Sequence, residues 1–317
     1  MREQSSSSHR RVRVRVPAST ANLGPGFDAI GMALTMYAWI EMAPAEQTKL
    51  MMSGAQMREL PADKSNLLFQ MAQLLYQEAG VKMPELEISV HSEIPLTRGL
   101  GSSAAAVVGA LGAANVLLGQ PFPEDELFRI ATTVEGHPDN VGAALFGGIV
   151  TAVWDGARVS YVRMDPPADL TTLVAIPSYQ LSTGAARKLL PEQVSRQDAI
   201  FNLSRASLLI AALANGRLDL IQCAMADRLH QPYRASLVAG LDVVLQNATE
   251  HGALGAALSG AGPTAIAFVN HHSPRKDELE QFMQEAMAVN GAAVETKWLK
   301  PSLDGLQLVP IGGDHER

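Results

Sequence analysis

The chain has 317 residues, 47% hydrophobic and 18% charged, and a formal net charge of −7. That length suits two domains, and that composition belongs to an ordinary globular protein, not a disordered one. The acidic balance and the lack of a long uninterrupted apolar run argue against nucleic acid and membrane as partners.

Residues 1–9 are polar and lack the apolar core of a secretory signal, so a cytoplasmic protein is expected. The single cysteine, Cys223, rules out an internal disulfide and agrees with a reducing compartment. In its helical-looking surroundings it reads as a small core filler. Residues 11–16 alternate arginine and valine, which predicts a strand with valines inward and arginines solvated, ending at Pro17. A nucleic-acid arm is the sharper reading of those arginines, but no aromatics interleave with them. In residues 18–28, Gly24, Pro25 and Gly26 impose a tight turn that brings Asn22 close to Asp28. The pair is either functional or bonded to its own backbone. Residues 30–42 read as the partner strand, and Ser65 and Asn66 open a helix that stops at Gly80.

An alternating run at residues 86–90 leads into the stretch around which the chain is organised. Pro95, Leu96, Thr97, Arg98, Gly99, Leu100, Gly101, Ser102, Ser103 and Ala104 run from that strand into an apolar helix over residues 104–118. Glycines allow a tight turn and close approach of backbone to ligand, and a helix N-terminus offers unpaired N–H groups to phosphate. Ser102 or Ser103 could cap the helix, or face a phosphate or its metal. A Walker A loop is excluded, because no Gly-Lys pair occurs in the chain. Gly99, Gly101 and Ala104 do fit the loose dinucleotide fingerprint. Against it, the bridge from strand to glycine is long and no acidic strand end lies about 20 residues on. A plain Gly/Ser linker before a core helix is the third reading.

A second helix, over residues 124–134, starts after Pro123 with three acids in its first turn. It runs into Glu135, Gly136, His137, Pro138, Asp139 and Asn140, a dense polar cluster. Zinc is disfavoured there, because no second histidine lies at helical spacing. A phosphate-bound Mg²⁺ needs only one or two protein oxygens, which Glu135 and a loop serine could supply. Residues 145–154 and 157–164, joined through Asp155 and Gly156, read as a β-hairpin. Pro166 and Pro167 mark a boundary that divides residues 10–165 from 166–305. The second half reads strand, helices, strand, strand, helix, strand, close to a ferredoxin-like split βαβ arrangement. Arg187 and Arg234 stand there at element edges; arginine forks grip carboxylates and phosphates, although a surface arginine is the ordinary case. His230 reads as an exposed helix residue, and the last 17 residues as a polar tail.

Three glycine-bearing segments now stand in order: residues 17–28, residues 99–104, and residues 258–264 with Gly260 and Gly262. The set resembles the small-molecule kinase superfamily of galactokinase, homoserine kinase, mevalonate kinase and phosphomevalonate kinase, over residues 11–300. Residues 22–28 and 135–140, Thr183 with Arg187, and Arg234 are together similar to the homoserine kinases. The resemblance implies a two-domain α+β fold, with an N-terminal domain like domain 2 of ribosomal protein S5 and a ferredoxin-like C-terminal domain. It implies transfer of the ATP γ-phosphoryl group to the hydroxyl of L-homoserine, a step toward threonine, and is compatible with a homodimer. By position it puts Pro95 to Ala104 around the triphosphate, Asn66 at the adenine, and Ser102 and Glu135 at Mg²⁺. Asn22, Asp28, His137, Thr183, Arg187 and Arg234 would hold homoserine.

Mevalonate and galactose kinases of the superfamily use a carboxylate base beside a cationic side chain, yet residues 18–20 include no lysine. The resemblance to the homoserine kinases implies that Asn140, ahead of Asp139, faces the hydroxyl, which agrees with phosphoryl transfer asking little covalent help of the protein. Three alternatives stay open. A kinase of the superfamily for a mevalonate-like or sugar-like alcohol would leave Asp28 without an ammonium to bind. A regulator that kept the fold would not need Ser102 and Glu135, and a dinucleotide oxidoreductase would need NAD(H).

Overall fold

The computed structural model describes residues 11–54 and 60–311; the serine run at 5–8, residue 10 and the end of the chain beyond 311 lie outside the described residues. Among these residues eleven strands form two sheets.

The first sheet is built on β1 (Val12–Ala21) and β2 (Ile30–Ala45), paired antiparallel. Val12, Val14 and Val16 are buried as the alternation requires, but Arg13, expected in solvent, is buried as well beside Glu41, and the strand does not end at Pro17. A register shift between Pro17 and Ala18 absorbs the proline, which cannot donate to the ladder, and β1 runs on to Ala21. That extension carries Ser19 and Thr20 into the site. β3 (Lys49–Gly54), which the sequence reading missed, pairs parallel to β4 (Glu85–Ser92) at one edge. In sequence α1 (Leu67–Glu78) joins β3 to β4, and α2 (Ser102–Leu117), α3 (Glu124–Glu135) and α4 (Asp139–Phe146) lie between β4 and the hairpin of β5 (Ile149–Trp154) and β6 (Val159–Met164). Residues 139–146 are thus a helix where the start of a strand was expected at 145. Gly147 and Gly148, both at positive φ, then turn the chain into β5.

α2 is apolar on every side and is the spine of this half. Its small residues let it settle against the sheet: a Cβ on Gly109 would lie 2.2 Å from Ile40.

The second sheet is antiparallel, in the order β10 (Val294–Leu299), β7 (Leu170–Pro177), β9 (Ala265–Asn270), β8 (Gly255–Leu258). This is the split βαβ order expected, with α9 (Leu241–Asn247) and α10 (Lys276–Met287) closing a core around Leu173, Val238, Leu279 and Met283. Between β7 and α9 the chain makes α5 (Thr183–Arg187), α6 (Arg196–Ala214), α7 (Ile221–Ala224) and α8 (Gln231–Arg234). α7 turns Ile221 and Ala224 inward and leaves Cys223 exposed, so that residue is not a core filler.

The expected polar tail is also corrected. After β10 the chain returns to the first sheet, where β11 (Gln307–Leu308) pairs with β1 and Ser302 N–H donates to Ala33. The described helices include none long and apolar enough to cross a membrane.

Candidate active site

The three glycine-bearing segments meet where the two halves touch. Gly260 N–H donates to Ala21 C=O, and the Asn22 side chain donates to Gly260 C=O at 2.9 Å. Asn22 also accepts from Asp28 N–H at 3.0 Å. One end of its amide is therefore spent on the turn and the other on Gly260 in the other half, and Asn22 acts on the cleft mainly by setting Asp28. Asn22 and Asp28 both adopt positive φ, a conformation that short polar residues tolerate.

The phosphate loop is pinned from both sides. Gly99 approaches Ser259 so closely that a Cβ would lie 2.2 Å from its carbonyl oxygen. Gly101, at φ +72°, is the N-cap of α2, so neither Ser102 nor Ser103 caps the helix. Their hydroxyls are left to the cleft, where Ser103 Oγ donates to Glu135 Oε1 at 2.6 Å and Ser102 lines the wall. Ala104 follows in the first turn. Other members of the expected loop set have side chains turned to the fold. Arg98 is buried, and its guanidinium donates to the carbonyls of Leu96, Pro177 and Ser178, clamping the loop to the end of β7. Leu100 is core, and Pro95 lines neither cavity of the site.

Beside the α2 N-terminus opens a chamber of about 410 Å³, apolar through Ile40, Leu67, Leu68, Val90, Leu96 and Ala106. Thr97, Ser102 and Ser103 are common to it and to the polar cleft, so the two are one continuous groove over the helix end. Asn66 lines the chamber, but its side chain caps α1 through Leu68 N–H and donates to Pro61 C=O. It shapes the wall and has little left for a ligand.

On the polar side, Glu135 ends α3 at the left-handed Gly136, and α4 begins at once. Asp139 is 1% exposed; its Oδ1 takes His137 Nδ1 at 2.6 Å and the Asn140 N–H at 2.7 Å. Burial works against a charged His137, but the hydrogen bond and charge of Asp139 outweigh it, and His137 titrates above its ordinary value. Ser19, which lies in the first of the three segments but had no role assigned there, donates to Asn140 Oδ1 at 2.9 Å and so leaves the Asn140 amide nitrogen for the cleft. No sequence signal marks Ser19; only the bulge in β1 puts it there.

Across the groove, Arg187 grips Asp28 with both arms, at 2.6 and 2.8 Å, which raises its own pKa. Arg234 is 1% exposed, and both guanidiniums lie over Phe27, at 5.3 and 5.1 Å. Burial, with the nearby Arg187, lowers Arg234 to about 10, so it remains a cation at neutral pH. Thr183 lines the same cleft at the start of α5. His230 is not exposed: it is fully buried between Gly24 and Arg234. Ligand atoms of Asp28, His137 and Asp139 come within 4.8 Å of one another, but the Arg187 fork covers both oxygens of Asp28. The trio is a polar wall, not a metal centre.

The groove thus offers an apolar chamber, a bare helix N-terminus with a carboxylate beside it, and a site with both charges for a small zwitterion. The model of the GHMP kinases N terminal domain matches residues 66–148, and that of the GHMP kinases C terminal domain matches residues 209–289. Fold and site define a small-molecule kinase of the GHMP class. β4, which feeds the loop, pairs only with β2 and with the preceding β3, and no strand after α2 lies parallel beside it, which removes the dinucleotide reading. The homoserine kinase of Deinococcus radiodurans is 46% identical over 90% of this chain and 93% of its own. That of Moorella thermoacetica is 42% identical over 93% and 99%. The homoserine kinase structure from Cytophaga hutchinsonii aligns over 98% of this chain and 100% of that one, with a TM-score of 0.85 at 26% identity. The chain belongs to the homoserine kinase family of the GHMP kinases.

Proposed function

We propose that the protein transfers the γ-phosphoryl group of ATP to the side-chain hydroxyl of L-homoserine. The observation that carries the reading is the placement of Asp28, Arg187 and Arg234 in one cleft, facing the N-terminus of α2. An α-amino acid brings an ammonium for the aspartate and a carboxylate for the arginines. A mevalonate-like or sugar-like alcohol would leave Asp28 without a partner to exchange. The relatives named above support the same substrate.

Adenine fits the apolar chamber, and the triphosphate then crosses the open N–H groups of α2, where helix dipole and backbone donors favour it. Mg²⁺ fits the hard oxygens of Glu135 and the hydroxyls of Ser102 and Ser103, gathered at the same helix end. When bound, the ion neutralises charge on the phosphates. Because Asp28 and Arg187 already satisfy one another, the substrate enters by exchange: its ammonium replaces Arg187 at Asp28, and its carboxylate takes the released guanidinium and Arg234. Held at both charges, the amino acid has its hydroxyl free to reach the γ-phosphorus. Asn140, with its oxygen occupied by Ser19, presents an N–H donor to the reacting oxygens. Asp139 Oδ1 holds His137 and the Asn140 N–H, a positioning role that favours Asn140 as the residue facing the hydroxyl. Positioning and charge stabilisation do most of the catalytic work in such a transfer. The proposed setting is the cytoplasm.

ATP turnover across L-homoserine, L-serine, mevalonate and galactose tests the reading. L-Homoserine is expected to exceed L-serine by about tenfold or more in kcat/KM, because a shorter side chain cannot reach the phosphorus with its carboxylate held. Turnover of mevalonate without turnover of homoserine sinks the proposal.

A further inference from the structure

We propose that His230 is a positioning residue for the substrate's carboxylate grip, holding the Arg234 guanidinium in the plane it needs through its own Nδ1 lone pair. The inference rests on the amino-acid reading of the cleft and assigns a role to a buried residue that the reaction itself does not use.

Arg234 is an unusual cation. Its Nη1 lies 3.1 Å from Gly260 C=O and 3.3 Å from His230 Nδ1, while its buried Nε has no hydrogen-bond partner. Buried donors are seldom left unpaired, and a guanidinium held on one arm with a bare Nε at a cleft wall is half of a bidentate clamp. What it lacks is an acceptor of the carboxylate type.

The backbone dictates the tautomer of His230. Its Nε2 sits 2.7 Å from Gly24 C=O, which can only accept, so Nε2 carries the proton. A neutral ring then has its lone pair on Nδ1, aimed at Arg234. The ring is fixed on every side. It stacks on Phe27 with centroids 5.2 Å apart, and the backbone N–H of His230 donates to Asp227 Oδ2 at 3.1 Å. Asp227 also accepts from the N–H groups of Leu229 and Gln231 and from the Asn202 amide, so its carboxylate is consumed in building the turn. The charged groups around His230 are Asp227 and Arg234 from its own segment and Asp28 from the β1–β2 connection. Burial holds the imidazole below its ordinary pKa; Asp227 and Asp28 pull the other way and Arg234 adds to the lowering. Neutral His230 accepts from a cation. Protonated His230 would confront Arg234 with a second charge and no lone pair.

Two substitutions separate the ends of the ring. His230→Gln keeps a donor near the Nε2 position for Gly24 and withdraws the acceptor from Arg234. His230→Asn keeps an acceptor near the Nδ1 position and withdraws the donor. His230→Gln is expected to raise KM for L-homoserine about tenfold, with kcat and KM for ATP within about twofold. His230→Asn is expected to lower the melting temperature and leave KM for homoserine within about threefold. In an Arg234→Leu background, His230→Gln should add no further rise in KM, because both act on one contact. A purely structural His230 predicts instead that both variants lower stability and active fraction alike with KM unmoved, and that result overturns the proposal. Multiplying effects in the double variant overturn it too. If the wild type leaves L-homoserine untouched, the function falls first. The His230 arrangement is then read by ¹⁵N NMR of the histidine ring, where a proton on Nδ1 refutes it.

Discussion

Asp28 shows how one side chain serves both folding and binding. With both oxygens held by Arg187, it ties the β1–β2 connection to α5 across the groove. The same fork keeps two unlike charges satisfied until a zwitterion supplies a replacement for each. At this scale the pH dependence is also set. His137 titrates above its ordinary value in the fold, so its contribution to stability is complete below the unfolded pKa of about 6.5 and is lost as pH rises through the raised folded value. The melting-temperature gap between wild type and His137→Gln is expected to be larger at pH 6 than at pH 8.5. A gap that is constant or widens with pH would show that the Asp139 contact does not stabilise the imidazolium.

Among the elements, the loop–α2 junction has the least freedom. The sequence suggests that a side chain on Gly101 would intrude on phosphate. The structure puts that Cβ 2.0 Å from Ser19 Oγ, in β1, with a backbone at φ +72° that valine does not accept. Gly101→Val should therefore abolish ATP binding and also cost about 2 kcal/mol or more of stability, since over-packing and strain add. Calorimetric titration with ATP and a thermal melt read the two effects separately. Lost ATP affinity at an unchanged melting temperature would return the explanation to phosphate space. Gly136 is the useful contrast, because a Cβ there meets nothing within 4 Å.

For the molecule as a whole, the returning C-terminal segment matters most. After completing the second sheet, the chain lays Ser302, Leu306 and β11 on the first, and Gly305 fits where a Cβ would meet Leu145 C=O at 2.1 Å. Leu306 fills the space above Gly112 on α2. The two halves are thus tied by this returning segment as well as by Arg98, Asn22 and Ser259. Leu306→Ala is expected to cost about 1–2 kcal/mol, because the side chain is only partly buried. In a chain of this size that is a fall of a few degrees in melting temperature, with KM for both substrates unchanged. No change in the melt would show that the segment lies on the sheet without supporting it.

Much of this protein is written in local pattern. The alternation of β1 and β4, the apolar run of α2, the order of the second sheet and the three glycine segments follow from period and turn chemistry, which neighbouring residues set among themselves. So did the gathering of Asn22, Asp28, the phosphate loop and Glu135 into one site, through the resemblance their spacing carries. What tertiary structure decided is how each side chain is spent. Arg98 became an internal clamp, His230 and Arg234 went from apparent surface residues to a buried polar pair at the cleft, and Ser19 entered it through a bulge at Pro17. These outcomes depend on partners more than 70 residues away, such as Pro177 for Arg98 and Gly24 for His230. Local spacing decides which groups exist and on which element; desolvation and a distant carbonyl decide which of them remain available to a ligand.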